Sequence, residues 1–314
     1  MGHSSLQTTS LKQRFSKVSV DSFASPLRAG MNVAEFLKGL PQILAAENLI
    51  QAAAAISRAA MTKKEVIIAM GAHVIKVGLS PVLTTWMDQG IITALALNGA
   101  GVIHDVEIAL QGKTSEDVGP ALDHGMFGVA EDTAAFIHEA LAAGVAEGKG
   151  YGQAVAEQLS AQNPPYADFS LLCQAWRRGV PVSVHVALGT DIIHMHASAD
   201  GADIGKASLR DFHQLTRHVA NLEGGIFCNI GSAVMLPEVF LKALNLARNQ
   251  GHKVNVFTAL DMDFIKHYRP SVNVVDRPVR LGGQGFQFIG HHELNLPLLT
   301  VAVLEALADS SLGS

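Results

Sequence analysis

Small, polar and ionisable residues follow a series of short apolar runs in this chain of 314 residues. Seven of its 14 histidines lie at the ends of these runs or just beyond them: His73, His104, His185, His194, His196, His291 and His292. An imidazole changes its charge close to neutral pH and is a common metal ligand. Histidines at such positions therefore predict a site for proton transfer or for metal binding.

Two glycine-rich turns each follow an apolar run and precede a helical pattern: Asn98-Gly99-Ala100-Gly101 and Gly231-Ser232. Glycine allows the backbone to approach a ligand closely, and the first turn of a helix offers unpaired N–H groups to a phosphate. The full G-x-G-x-x-G spacing is absent, so each turn by itself also fits an ordinary strand-to-helix connection. Two such turns in one sheet favour a dinucleotide cofactor.

A metal centre is the alternative for the same residues. The segments Asp191-Ile-Ile-His194-Met-His196 and His104-Asp105 contain suitable ligand types. No His-Glu-x-x-His motif or cysteine pair supports them, and the two cysteines lie in apolar segments, as reduced core residues do. A metal is therefore not favoured. A metal-dependent hydrolase stays open as an alternative, with the cluster His73, His104, Asp191, His194, His196 and His291.

Six short apolar runs alternate with amphipathic stretches at helical spacing. The runs predict strands at residues 65–70, 92–97, 181–186, 225–230, 253–258 and 286–289. The patterns between them predict helices at residues 79–89, 102–111, 132–147, 151–162, 168–178, 208–222, 236–249 and 296–308. Wholly apolar strands are typical of a sheet that is buried on both faces. We therefore predict an α/β fold with a doubly wound, mostly parallel sheet, helices on both faces, and ligands at the carboxyl ends of its strands.

Two segments fall outside this alternation. Residues 1–30 are polar and predict an N-terminal arm, which leaves residues 31–314 as a single domain. The polar stretch 112–128 predicts either a lid or substrate loop, or a solvated connection. Residues 33–60 predict two helices separated by a turn at residues 39–41.

The composition excludes some classes of protein. The net charge is -5 and no basic run occurs, so we expect no nucleic-acid partner. No apolar stretch reaches the roughly 18 residues of a membrane span, and the polar start lacks a secretory signal, so we expect a cytoplasmic protein. Apolar residues make up 48% and charged residues 16%, which favours extensive buried surfaces and a homo-oligomer.

The order of the motifs between residues 35 and 308 resembles that of the deoxyhypusine synthase family. The similar segments are GAHVIKVG (71–78), LNGAGVIHD (97–105), TDIIHMH (190–196), GSAV (231–234), FTAL (257–260) and LPLL (296–299). The resemblance implies a doubly wound α/β fold, assembly as a homotetramer and NAD as the cofactor. It also implies a transferase that acts on a polyamine, since the family moves an aminobutyl group from spermidine to a protein lysine.

The resemblance also assigns roles to individual positions. The positions that would face NAD are His73, Asn98, Gly99, Ala100, Gly101, Gly231, Ser232, Thr258, Ala259 and His291. Asp191 would match an aspartate that binds the substrate. The family forms an imine through a lysine near its C-terminus, whereas residues 271–285 contain no lysine and none follows Lys266. Without an amine nucleophile the aminobutyl group has no carrier.

We therefore expect a deoxyhypusine synthase-like, NAD-binding enzyme that acts on a small amine or guanidine metabolite and is not a true deoxyhypusine synthase. A non-catalytic NAD-binding protein is a further alternative, because a fold does not determine a function. The residues expected to do the chemistry are His104, Asp105, His194 and His196, and those expected to bind substrate are Asp191, Arg277 and Arg280.

Three ideas underlie these roles. His104 beside Asp105 would act as a base, and His194 or His196 would relay protons. The two arginines would bind a carboxylate or phosphate through bidentate pairs, or else are solvated loop charges.

Overall fold

In the computed structural model, which describes residues 6–311, six short strands form a single sheet. The strands are β1 (Val66–Met70), β2 (Ala94–Asn98), β3 (Val182–His185), β4 (Ile226–Ile230), β5 (Thr258–Asp263) and β6 (Gln284–Ile289). They lie in the order β3-β2-β1-β4-β5-β6 and every neighbouring pair is parallel. The predicted doubly wound α/β fold is thereby confirmed.

Helices cover both faces of this sheet. They are α1 (Val33–Lys38), α2 (Leu44–Met61), α3 (His73–Lys76), α4 (Ser80–Asp88), α5 (Gly99–Gln111), α6 (Val118–Asp123), α7 (Glu131–Ala146), α8 (Tyr151–Ala161), α9 (Leu171–Arg178), α10 (Gly201–Ala220), α11 (Met235–Asn249), α12 (Tyr268–Asn273) and α13 (His292–Ser311). Helices α2, α5 and α13 pack against one face, and α10 and α11 pack against the other.

The central strands are apolar on both sides because both sides are covered. In β1, Ile68 belongs to the core beneath α2 and α13, whereas Ile67 and Ala69 belong to the core beneath α10 and α11. All five residues of β1 are buried. Successive side chains of a strand point to opposite faces, so a strand between two helical layers is apolar at most of its positions.

One strand lies five residues later than predicted. The apolar run 253–258 predicts a strand, but β5 occupies Thr258–Asp263. The aspartates of β5 interrupt the apolar pattern by which strands are predicted, although Asp261 is fully buried. The amide of Asn229 on β4 donates to Asp261 Oδ1 over 2.8 Å, and that of Gln287 on β6 donates to Oδ2 over 2.9 Å. Thr258 and Ala259, expected to face the cofactor, therefore lie at the opposite, amino-terminal end of β5.

Some helices also begin earlier than the apolar pattern indicated. Helix α10 starts at Gly201 because Asp200 Oδ1 accepts hydrogen bonds from the amides of Ala202 and Asp203 at 2.7 and 3.2 Å. This is the ordinary role of an aspartate before a helix. Such caps are polar, so the apolar periodicity used to predict helices does not include them.

The two segments outside the alternation are mostly exposed. Residues 6–30 contain two short 3-10 turns, and residues 22 to 25 are tied to the α1–α2 connection by backbone hydrogen bonds of 3.0 Å. The first five residues of the predicted arm and the last three of the predicted domain lie outside the described residues. Segment 112–128 contains the short helix α6. Across residues 6–311, no helix has both the length and the apolarity that crossing a bilayer requires.

A buried carboxylate joins α10 to the edge of the sheet. Asp211 Oδ2 accepts hydrogen bonds from the amides of Gly152 in α8 and Val184 in β3, over 2.8 and 2.7 Å. A Cβ atom added to Gly150 would lie 1.8 Å from Asp211 Oδ1, so the residue before α8 cannot carry a side chain. Burial raises the pKa of Asp211 to about 7, although the backbone hydrogen bonds oppose this shift.

We expect Asp211→Ala to lower the free energy of unfolding by about 2–4 kcal/mol, because buried amides of α8 and β3 lose their acceptor. Asp211→Asn keeps an acceptor oxygen and should lose less. Urea unfolding monitored by circular dichroism measures both, and equal stability of the two variants would contradict this role.

The same carboxyl group should make stability depend on pH. Between its ordinary pKa of 3.8 and about 7, folded Asp211 keeps a proton that the unfolded chain releases. Its contribution to stability is therefore present at low pH and is lost as the pH rises through this range. Asp211→Asn should remove this part of the pH dependence.

Candidate functional site

The carboxyl ends of β1 and β4 meet at the centre of the sheet, where the chain connections diverge to opposite sides. The amide of Gly71, directly after β1, donates to the carbonyl of Ile230 at the end of β4 over 2.9 Å. A Cβ atom on Gly71 would lie 2.2 Å from the carbonyl oxygen of Gly231. The floor of this crevice is therefore bare backbone, at the position where doubly wound sheets bind ligands.

A buried histidine borders the crevice. His292, the first residue of α13, is 1% exposed, and neither of its ring nitrogens has a hydrogen-bond partner among the described residues. A Cβ atom on Gly231 would lie 2.8 Å from its Nε2, and the ring of His73 lies 5.7 Å away between centroids. Burial lowers the pKa of His292, against the opposing effect of the Asp263 carboxylate. The neutral ring thus offers a donor and an acceptor beside the crevice.

The turn after β4 leads into helix α11. Ser232 Oγ accepts a hydrogen bond from the amide of Leu236 over 3.2 Å, and the carbonyl of Ser232 accepts one from Asn229 over 2.9 Å. These bonds hold the turn in place from both sides. The N-terminus of the 15-residue helix α11 therefore directs its positive end towards the crevice.

The second glycine-rich turn has a different environment. Asn98 Oδ1 accepts from the amide of Gly101 over 2.9 Å and so begins α5. The carboxylate of Asp191 lies against this turn, and a Cβ atom on Gly99 would come within 1.9 Å of its Oδ2. A carboxylate in this position disfavours a phosphate and favours a cationic group. The two turns predicted to act alike therefore differ in the charge they accept.

Asp191 and His194 share a short 3-10 turn and both are largely buried. His194 Nδ1 accepts hydrogen bonds from the amides of Gly189 and Asp191 over 3.1 and 3.3 Å, so the neutral ring carries its proton on Nε2. This Nε2 lies 3.8 Å from Asp191 Oδ2, and neither atom has a hydrogen-bond partner among the described residues. Burial raises the pKa of Asp191, against the opposing effect of His194.

A cavity of about 220 Å³ opens beside this turn, between α5 and segment 112–128. Its chemically active lining consists of Lys76, His104, Glu107, Glu116 and Asp191. The volume lies below the range of about 300–1,000 Å³ that is usual for drug-sized ligands. The cavity therefore suits a small metabolite.

Larger cavities lie elsewhere on the described part of the chain. Two of them, of about 450 and 480 Å³, include histidines, but no residue of the turns that follow β1 and β2 lines either one. Two others lie at different places. One of about 290 Å³ borders Trp176 and the start of β3, and one of about 600 Å³ lies between α1, α2 and α13. Both have mainly apolar linings, and neither is lined by a histidine among the described residues. We therefore take the smaller cavity near the strand ends as the candidate site.

A chain of hydrogen bonds orients His104 at the cavity wall. The hydroxyl of Thr114 donates to Glu107 Oε2 over 2.5 Å, so it accepts from His104 Nδ1–H over 2.6 Å. Burial raises the pKa of Glu107, but the nearby His104 and the hydrogen bond from Thr114 outweigh this effect and hold the pKa below its ordinary value. With its proton on Nδ1, the neutral ring has a lone pair on Nε2 and can accept a proton there.

Asp105 does not support His104 as the sequence suggested. It is fully buried and accepts hydrogen bonds from Ser170 Oγ and from the amides of Leu171 and Leu172, which begin α9. Burial raises the pKa of Asp105 to about 6. Successive residues of a helix point about 100° apart, so the neighbour of His104 faces away from the cavity.

The sequence alone did not indicate the two residues, Glu107 and Thr114, that orient the ring of His104. Glu107 lies three residues after His104, a spacing that places both on one face of α5 and could have been noticed. Thr114 lies beyond the helix in segment 112–128, and nothing in its sequence position indicates the contact.

Other predicted residues lie apart from the cavity. Arg277 and Arg280 precede β6, at the amino-terminal edge of the sheet, and contact Asn273 and Asp276. They do not line the candidate site. The side chain of His291 is 72% exposed beside Glu293, whereas its neighbour His292 borders the crevice.

His196 has a local role instead. Its Nε2–H donates to the carbonyl of Gly128 over 3.0 Å. This bond links the turn that contains Asp191 to the end of segment 112–128, which covers the cavity.

The predicted metal cluster is divided between two places. His73 lies at the crevice, while His104, Asp191 and His194 lie around the cavity. Among residues 6–311, no group of three or more histidine, cysteine, aspartate or glutamate side chains is arranged to hold a metal ion. The metal-dependent alternative therefore has no assembled set of ligands in this part of the chain.

The strand order and the close approach of the β1 and β4 ends at its centre are those of the doubly wound α/β fold. No protein-family model and no curated protein matches the chain. Solved structures do match it. The chain is similar to ArgZ, an arginine dihydrolase from cyanobacteria, with 16% identity, a TM-score of 0.51, and 84% of this chain and 33% of ArgZ covered.

Two further solved structures resemble the chain. A ternary complex of AgrE with ornithine and NAD+ gives 11% identity and a TM-score of 0.51, covering 87% of this chain and 35% of AgrE. A putative deoxyhypusine synthase from Entamoeba histolytica gives 9% and 0.51, covering 88% of this chain and 94% of its own. These identities establish a common fold alone. The chain spans about a third of the length of ArgZ and AgrE.

We expect ¹⁵N NMR of the side chains to find neutral His104 protonated on Nδ1, because Thr114 has only an acceptor site left for it. Thr114→Val keeps the shape but removes this acceptor, so His104 should become a mixture of tautomers. His194, protonated on Nε2 in both proteins, is the internal control. Wild-type His104 protonated on Nε2 would contradict the proposed orientation.

Proposed function

We propose that this chain is an NAD-binding enzyme that acts on a small amine or guanidine metabolite. The dinucleotide would lie in the crevice between β1 and β4, and the metabolite in the cavity beside α5. The observation that carries the proposal is the bare backbone at Gly71 and Gly231, on the same carboxyl edge of the sheet as a cavity lined by carboxylates and by a histidine with a free lone pair.

The residues around the crevice suit a dinucleotide. The two glycine backbones approach each other so closely that no side chain fits at Gly71, which leaves bare backbone at the ends of β1 and β4. The N-terminus of α11 favours an anionic diphosphate, and His292 offers unpartnered ring nitrogens at the same place. The complex of AgrE with ornithine and NAD+ supports this assignment through the common fold. When bound, NAD supplies a hydride acceptor.

The residues that line the cavity would bind the substrate and accept its proton. The Asp191 carboxylate would bind the cationic nitrogen of the substrate, and His194 beside it would steady that carboxylate. Oxidation of a carbon that bears nitrogen also releases a proton, which His104 Nε2 would accept. Glu107 and Thr114 would hold His104 in the tautomer that this step needs.

The lack of a lysine at one position distinguishes the proposed enzyme from a true deoxyhypusine synthase. No lysine follows Lys266, so the imine that carries the aminobutyl group in that family has no counterpart at the matching position. We therefore propose oxidation or transfer on a free metabolite, in place of modification of a protein lysine.

Binding of NAD+ tests the crevice. Gly71→Ala should weaken binding by about tenfold or more, because its Cβ atom would force the ends of β1 and β4 apart. Gly205→Ala is the matched control: it lies in a helix with nothing within 4 Å of the added atom and should bind as the wild type does. Isothermal titration calorimetry on folded variants measures both. A wild type that binds neither NAD+ nor NADH would end the proposal.

Turnover tests the base. His104→Gln should lower the rate of NADH formation by about 10²–10⁴-fold with ornithine, arginine or spermidine as the offered substrate, as expected when a general base is lost. His213→Gln changes an exposed histidine of α10 and should leave the rate unchanged. Unchanged turnover in His104→Gln would remove it as the base. NAD+ binding without turnover of any substrate would favour the non-catalytic alternative.

A further inference from the structure

A lysine without a partner lies at the cavity. Lys76, the last residue of α3, lines the cavity and is exposed. Within residues 6–311 its ammonium group makes no ion pair or hydrogen bond. The proposed binding of an amine does not use this residue, because a cation beside a lysine is repelled.

The charges of the cavity are ordered from its mouth to its base. At the mouth, Lys76 and Glu116 are both exposed and carry opposite charges. Glu116 Oε1 accepts from the amide of Gly128 over 2.8 Å, which fixes the carboxylate and leaves its second oxygen available. At the base, the buried Asp191 has an unpartnered Oδ2. A ligand that fills the cavity therefore lies between a cation and an anion at the mouth, Lys76 and Glu116, and a second anion at the base, Asp191.

We infer that the cavity recognises an intact α-amino acid with a cationic side chain, and that Lys76 distinguishes it from the corresponding amine that lacks the carboxylate. The inference rests on the proposed function and narrows its substrate class. The α-carboxylate pairs with Lys76, the α-ammonium group pairs with Glu116, and the side-chain cation reaches Asp191. A diamine of the same length places a second cation near Lys76 instead.

The size and charge of the cavity agree with such a ligand. A cavity of about 220 Å³ accepts a short chain with one polar group at each end, and it is too small for a long polyamine held without bending. Lys76 acts as a point charge with three donors, which suits a carboxylate approached from solvent. Its exposure means that replacing it does not disturb the core.

Two matched pairs of ligands test the inference: ornithine with putrescine, and arginine with agmatine. Each pair differs only by the carboxylate. Calorimetric titration of the NAD+-loaded protein should show the amino acid binding about tenfold or more tighter than its amine. Lys76→Met should abolish this preference by weakening the amino acids while leaving the amines unchanged or tighter. Lys76→Arg should retain it, and Asp191→Asn should weaken all four ligands.

The outcomes separate the inference from the function on which it rests. Equal or tighter binding of the amines by the wild type, or an unchanged preference in Lys76→Met, overturns the inference and leaves the proposed enzyme intact. NAD+ binding without binding of any of the four ligands also overturns it, while the assignment of the crevice stands. A preference for the amino acids that depends on Lys76, in a protein that does not bind NAD+, supports the inference and removes the cofactor from the proposed function.

Discussion

The contact between the backbones of Gly71 and Gly231 is the constraint on which the site depends. The two residues follow neighbouring parallel strands whose chains then leave in opposite directions, so the strand ends stay close while their helices separate. Helix α11 follows Gly231, helix α3 begins two residues after Gly71, and His292 lies against Gly231. The cavity beside α5 lies beyond the end of β2, the next strand along the same edge of the sheet.

Three buried aspartates show how one residue type serves different purposes. Asp105 and Asp211 accept backbone hydrogen bonds at the starts of α9 and α8 and hold these helices against the sheet. Asp191 is also buried, but its Oδ2 borders a cavity and has no partner among the described residues. Burial raises the pKa of all three carboxyl groups. Only the position of the free oxygen separates a structural carboxylate from a candidate ligand.

The sequence was sufficient for the architecture because both faces of the sheet are covered. Strand β1 is apolar at every position and β4 at every position except Asn229, and this pattern is easily read. Strand β5 was placed five residues early because Asp261 and Asp263 interrupt its apolar pattern, and the partners of Asp261 come from other strands. A local pattern cannot reveal compensation supplied by distant residues.

The site was predictable to a smaller extent. The histidines and glycines at strand ends indicated the carboxyl edge of the sheet, and His104 and Asp191 line one cavity there. The sequence could not distinguish His291 from His292, or Asp105 from Glu107, because each choice depends on the direction in which a helix turns its side chains. Nor did it indicate Lys76, whose significance lies in the charges around it.

The polar row that Asn229, Asp261 and Gln287 form across three strands has a consequence for how the chain folds. These residues are direct partners in the strand pairing, so a shift of β5 by one position would place the Asp261 carboxylate on the other face, among apolar side chains. A misaligned sheet would thus bury an uncompensated charge. The polar row therefore makes misaligned pairings of β4, β5 and β6 less stable than the native pairing. Apolar side chains alone would not distinguish these alignments as strongly.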